Sequence, residues 1–243
     1  MDQIYEFADE RHKSWCIHCG CSASVGVSIT RDHVPTKALL CKPYPENLPI
    51  VVICATCNND FSADEEYLSV FLQCALVDST NPELLPDKVV RALQRNPKLR
   101  SRVERSKMEY QTRSGETRCF WRYKTEAVEN IVVKNARGHI LYECGEPIMV
   151  EPTCVWTMPL AWMTAMEREE YNTVTVDRAL VSPEVGSRMM QRIFTEQDMR
   201  NGWIIVQDGI YRFHVDLQDR NNGILVKSVL SEHLATKVYW SDY

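Results

Sequence analysis

The periodicity of apolar positions changes repeatedly along the chain. Residues 12–60 show only short apolar runs, such as Leu48-Pro49-Ile50-Val51-Val52-Ile53, set among Cys, Pro and Asn, which predicts a small loop-rich unit in need of a staple. Ser62-Ala63-Asp64-Glu65 then reads as a capping box, followed by Tyr67, Phe71 and Cys74 at helical spacing, so a helix is predicted over about 63–77. Its acids Asp64, Glu65 and Glu66 suit the positive end of a helix dipole. Residues 82–108 predict two short helices broken near Asn96-Pro97, and Cys119 to Lys124 a strand. A helix over Thr125 to Cys144 follows, with Val128, Ile131, Val132, Asn135 and His139 along one face. Glu151–Asn172 is aromatic and Met-containing and carries no clear period. The end of the chain turns to β: Trp203–Gln207 and Ile210–Asp216 flank Asp208-Gly209, a hairpin signal. Asn221-Asn222-Gly223 turns the chain again before Ile224–Leu230, and Lys237–Trp240 adds a short fourth strand. The pattern as a whole predicts an α+β fold.

Composition bounds the class. The chain has 243 residues, 44% apolar and 25% charged, an ordinary globular mix that excludes disorder and fibrous repeats. No apolar run approaches the length of a transmembrane helix, and the start, MDQIYEFADERHKSW, lacks an apolar leader. The expected setting is the cytoplasm, without membrane association. Ten cysteines in such a setting are expected to be thiols and metal ligands rather than disulfides.

Net charge is −5, but it is unevenly spread. Residues 87–124 hold twelve basic and four acidic side chains, a local excess of +8 that leaves −13 elsewhere. With Phe120, Trp121 and Tyr123 at its end, this block reads as the footprint of a polyanion. Its candidate nucleic-acid contacts are Arg91, Arg95, Lys98, Arg100, Arg102, Arg105 and Lys107. A solvated basic helix face is the plainer alternative.

The chemistry is concentrated near the N-terminus. Cys16-Ile17-His18-Cys19 and Cys54-Ala55-Thr56-Cys57 are two C-x2-C pairs separated by 34 residues. Each pair can clamp one side of a tetrahedral zinc, and two pairs in one small unit are a strong signal for a closed, structural site. Cys21, Cys41 and His18 are nearby competitors, ranked lower because they break the paired spacing. Thr30-Arg31-Asp32-His33-Val34-Pro35 lies between the pairs, and Asn58-Asn59-Asp60 follows the second. The Asp32 carboxylate and the Asn58 amide oxygen are hard ligands suited to Mg²⁺ or Mn²⁺, and His33 can act as a general base near neutral pH.

This arrangement resembles the HNH endonucleases of the ββα-metal class. The resemblance covers roughly residues 12–78 and rests on Cys16/Cys19, Asp32-His33, Asn47 in Pro45-Glu46-Asn47-Leu48, and Cys54/Cys57-Asn58. The last family position is Asn58 rather than His, a variant also found in phage junction-resolving enzymes of this class. The resemblance implies zinc on Cys16, Cys19, Cys54 and Cys57, and a catalytic Mg²⁺ or Mn²⁺ on Asp32 and Asn58. It implies that His33 takes a proton from water, that Asn47 orients the His33 loop, and that the substrate is DNA. The expected organisation is an HNH nuclease domain with zinc knuckles over 1–80, a basic helical segment over 81–124 and an α+β part over 125–243.

Several residues carry plainer expectations. Asp64, Glu65 and Glu66 are expected to cap a helix rather than extend the metal site. His139 is expected in the core, His214 on a solvent-facing strand position, and Cys74, Cys119, Cys144 and Cys154 as buried small hydrophobes. The leading functional expectation is a metal-dependent endonuclease, an effector in bacterial antiviral defence or a mobile-element system. The alternative is a non-catalytic zinc-stapled module that binds nucleic acid or docks onto a protein partner or a second copy of the chain.

Overall fold

The computed structural model describes residues 4–5, 15–22, 26–46, 48–174, 188, 192, 198–216 and 223–241. Within them the fold is α+β, with helices and antiparallel sheets in separate layers. β1 (Ile4–Tyr5) runs parallel to β3 (Pro49–Cys54), and β2 (Ile29–His33) pairs with β3 antiparallel, so that Asp32 faces Val51 and Ile29 faces Cys54. α1 (Ala55–Leu76) follows β3 without a loop, giving a β-β-α unit.

α1 starts earlier than its sequence pattern predicts. Cys54 serves as N-cap, its sulfur accepting the Cys57 N–H at 3.4 Å, so the turn of the second cysteine pair is also the first turn of the helix. Ser62-Ala63-Asp64-Glu65 therefore lies inside the helix and caps nothing. Its acids bind neighbouring elements instead. Asp64 accepts from Asn130 at 2.9 Å, Glu65 pairs with Lys134, and Glu66 pairs with Arg95 at 2.5 Å.

α2 (Asp87–Arg95) and α3 (Pro97–Glu104) are separate helices broken at Asn96, whose side chain caps α3 by accepting from Leu99 N at 3.1 Å. The basic block then leaves helix. β4 (Lys107–Gln111) and β5 (Thr117–Trp121) form a hairpin, where sequence predicted helix to 108 and one strand over 119–124. α4 (Thr125–Cys144) has the predicted bounds and ends on the left-handed Gly145.

β6 (Cys154–Pro159) and α5 (Ala165–Asn172), capped by the Thr164–Glu167 box, fill the unassigned stretch. The C-terminal sheet has the order β6-β11-β10-β9-β8-β7, with β7 (Met199–Arg200), β8 (Trp203–Gln207), β9 (Tyr211–Asp216), β10 (Ile224–Leu230) and β11 (Leu234–Trp240) all antiparallel. The β8–β9 turn places Gly209 at φ +70°, where a side chain would be strained.

α4 is the centre of the molecule. One side meets α1 and the β2–β3 unit, and the other packs on β6, β9, β10 and β11. The buried hydrophobic cluster runs from Leu39 and Leu48 through α1, α2, α3 and α4 to Trp240, joining all three sequence segments. His139 is buried as expected, stacked on Phe213 with ring centres 3.6 Å apart and bonded to Tyr211 Oη at 3.0 Å. His214 departs from expectation. It is buried rather than solvent-facing, with Nδ1 2.9 Å from the Gly202 carbonyl, because strand β9 is covered on both faces.

Candidate functional site

All ten cysteines are free thiols, and four converge. Cys16, Cys19, Cys21 and Cys54 bring their sulfurs within 4.8 Å of one another, a group able to hold a metal ion such as zinc. The Cys19–Cys54 sulfur separation is 3.8 Å. An ion bound tetrahedrally at the usual zinc–sulfur distance of about 2.3 Å requires an edge of about 3.8 Å, so this donor set fits. Cys57 joins from the helix side, its thiol engaging Cys54, Cys19 and Cys16.

Five thiols thus meet where the paired spacing predicted four, and Cys21 belongs to the tightest set despite breaking that spacing. Its placement follows from the turn. Gly20 sits at φ +69° and donates its N–H to Cys16 O, while the Cys16 N–H bonds Cys21 O at 2.9 Å, folding Cys21 back over the first pair. The Cys21 backbone N–H pulls the Cys19 thiol down to about 7, and the Cys57 N–H lowers Cys54, each shift favouring the thiolate that a metal binds. The competitors separate cleanly. His18 packs edge-on against Phe61 at 4.8 Å, and Cys41 is tied by its backbone to Gln207 in β8.

Asp32 and His33 lie at the end of β2, beside α4. Close approach there depends on Gly138. A carbon added at its Cβ position would lie 2.5 Å from Val34 Cγ2, so no larger residue lets α4 reach this loop. One turn earlier, Lys134 projects into the site with its side chain only 2% exposed. Its ammonium is 2.5 Å from Asp32 Oδ2 and pairs also with Glu65. Asp32 Oδ1 accepts the His33 N–H at 2.9 Å, so the carboxylate is held at both oxygens.

Asn135, next in α4, accepts the Thr36 N–H at 3.0 Å and secures the loop that follows His33. Asn47, the residue expected to orient that loop, lies outside the described residues. Asn58 sits in the first turn of α1 and donates from Nδ2 to Thr30 Oγ1 at 3.2 Å, leaving its amide oxygen as the atom suited to a hard cation.

Two imidazoles carry unpartnered nitrogens. His33 Nε2 is buried with no hydrogen-bond partner among the described residues, and burial lowers its pKa, with Lys37 adding to the effect and Asp32 opposing it. Both ring nitrogens of His18 are likewise unpartnered. Burial, helped by Arg137 and Lys134, pushes its pKa down to about 3. Arg137 itself donates to the His18 carbonyl and to Glu151, so α4 also braces the cysteine turn.

Sequence reading missed Lys134, Asn135 and Glu65. The available signal is polarity on the apolar face of the 125–144 helix, where Asn135 lies along one face with Val128, Ile131 and Val132.

The basic block is less open than its charge suggests. Arg95 pairs with Glu66, Arg100 with Glu104 at 2.8 Å, and Lys107 with Asp78 at 3.1 Å. Arg102 lies 3.8 Å over the Tyr67 ring and near Asp64. Arg91 and Arg105 bond carbonyls of their own helices, and Lys98 is exposed. Arg91 and Arg95, with Lys88, line an open cleft of about 430 Å³ between α1 and α2 that reaches Glu65 and Glu66. No helix among the described residues is long and apolar enough to cross a membrane. Comparison with known proteins finds no matching family model, no matching curated protein and no matching solved structure.

Proposed function

We propose that the protein is a metal-dependent endonuclease that hydrolyses phosphodiester bonds in DNA, stapled by a structural zinc. One observation carries the reading. A β-hairpin leading directly into a helix sets Asp32-His33 at the strand end and Asn58 in the first helical turn, both anchored to the thiol cluster. That is the arrangement implied by the resemblance to HNH endonucleases.

Asp32 and Asn58 offer the oxygen donors that Mg²⁺ or Mn²⁺ prefers. Such an ion would supply positive charge against the phosphate oxygens. His33, kept neutral by burial, accepts a proton from water at Nε2, the nitrogen without a partner. Asn135 holds the His33 loop in place. Defence against phage or service to a mobile element would suit an enzyme of this kind.

The second reading has its own observation. Lys134 already neutralises Asp32, as it would in a non-catalytic module that binds nucleic acid or a protein partner. Incubation of the purified protein with plasmid, linear and single-stranded DNA separates the two. The nuclease reading expects cleavage with Mg²⁺ or Mn²⁺ and none with EDTA. Intact DNA in every divalent ion would favour the binding module.

A further inference from the structure

The β4–β5 hairpin projects from the core, with most of its residues exposed on both faces. Its cross-strand pairs Met108–Phe120 and Tyr110–Arg118 share one side, while Lys107, Glu109, Cys119 and Trp121 share the other. The second side is anchored to the core at Trp121 alone; Glu109 is exposed, and so is Cys119, which was expected to be buried. Trp121 is buried, donates to Asp78 Oδ1 at 2.7 Å and meets Phe71 edge-on at 6.2 Å. The first side forms a row of rings in contact with solvent. Tyr110 and Phe120 are 5.9 Å apart, and Phe120 and Trp162 are 6.1 Å apart, both edge-to-face. Tyr110 is 46% exposed and Trp162 54%, with Met108 beside them at 41%. Large apolar side chains gathered at one exposed place mark an interaction site.

Charge selects among occupants. Residues 107–124 hold five basic against two acidic side chains in a chain whose total is −5. Arg118 lies on the ring face itself, and Arg122 is exposed just beyond β5. The acids do not close this surface. Glu109 is on the opposite side, and Glu116 meets Arg118 at 3.2 Å in a largely exposed pair of little strength. Exposed rings next to arginines suit a polyanion that also presents flat π-faces. A duplex keeps its base faces stacked inside, whereas a single strand offers both phosphates and bases.

We propose that the Tyr110–Phe120–Trp162 face, with Arg118 and Arg122, is a stacking platform for unpaired nucleotides. This deepens the endonuclease reading and rests on it for one point, that the bound strand is substrate. The platform adjoins the start of α4, and Lys134 lies nine residues along that helix, about 14 Å at 1.5 Å per residue. A few nucleotides of single strand span that distance. The implied substrate is DNA with an unpaired stretch, such as a displaced strand, flap or junction, rather than uniform duplex.

The test is binding of a fluorescein-labelled 15-nucleotide oligo(dT), and of a duplex of equal length, to the full chain in EDTA, so that cleavage plays no part. The platform predicts tighter binding of the single strand, with quenching of tryptophan fluorescence. Tyr110→Ala and Trp162→Ala should each weaken it roughly tenfold, while Trp162→Phe retains most of the affinity. These side chains are exposed, so circular dichroism and zinc content should not change. Equal affinity of the alanine variants and wild type, with Arg118→Ala/Arg122→Ala alone weakening binding, would overturn the platform in favour of a purely ionic surface. So would failure to bind oligo(dT), including the case in which the face instead adsorbs to phosphatidylcholine vesicles or joins two copies in sedimentation. A protein that binds oligo(dT) as described yet cuts no DNA would keep the platform and remove the nuclease reading.

Discussion

Lys134 is a buried ammonium between two carboxylates, and its loss separates structural from site effects. Lys134→Met leaves Asp32 and Glu65 facing each other without a counter-charge, which should cost on the order of 3 kcal/mol of stability. The same vacancy is then a place for a divalent ion. Millimolar Mn²⁺ should recover part of the lost stability in the variant by binding the folded state. Thermal denaturation with and without Mn²⁺ reads both effects, and an Mn²⁺-insensitive variant would contradict the geometry described for this pair.

His139 is the second residue-scale test. Burial pushes its pKa to about 3, helped by Arg192, against an unfolded value near 6.5. Between those limits the unfolded chain binds the extra proton, so stability falls as pH drops from 6.5 towards 3. The slope is up to ~1.4 kcal/mol per pH unit from this group alone. His139→Phe should flatten the slope of unfolding free energy over pH 4–6 by up to that amount, relative to wild type. His214 and His233, also lowered by burial, keep part of the slope in the variant.

Among elements, the contact between α4 and the end of β2 depends on a missing side chain. Gly138→Ala gains roughly 1 kcal/mol in helix propensity, but its new methyl meets Val34 within contact distance. Overpacking of that kind costs ~1–3 kcal/mol, so the variant should be less stable than wild type in urea denaturation. A more stable Gly138→Ala protein would mean that α4 does not approach the loop this closely.

The cysteine turns make a parallel prediction. Cys16, Cys19 and Cys54 are common to both ways of choosing four thiols, and Cys21 and Cys57 are the alternatives for the last position. Cys16→Ser should lose zinc and unfold the unit, since structural zinc carries folding free energy on the order of 10 kcal/mol. Cys21→Ser or Cys57→Ser alone should keep one zinc per chain by elemental analysis.

At the scale of the whole molecule, what could be read from sequence follows a physical division. Local signals held. The Asn96-Pro97 break, the bounds of the helix at 125–144 and the Asp208-Gly209 hairpin depend on neighbours in sequence. The thiol cluster was legible as two pairs because metal ligands obey spacing rules. Cys21 was not, because it reaches the cluster through a backbone turn rather than a motif.

Long-range partnerships were invisible. Lys134 and Glu65 are 69 residues apart, and nothing nearby in sequence distinguishes a buried ammonium from a solvated one. Three consecutive acids look like a helix start in sequence and are ties from α1 to α2, α3 and α4. The basic block is legible in sequence as a local excess of charge, but only the fold shows which of its members are already paired and which flank the exposed rings.

If His33 supplies the base for phosphodiester cleavage, as proposed, its removal should stop cutting without releasing zinc. The most direct measurement is the rate of plasmid cleavage by His33→Ala and by wild type at equal protein concentration in Mg²⁺ and Mn²⁺, with zinc content measured in both. His33→Ala should cut at a rate lower by at least ~10², with one zinc retained and oligonucleotide affinity unchanged. Cleavage by His33→Ala at the wild-type rate would contradict this role.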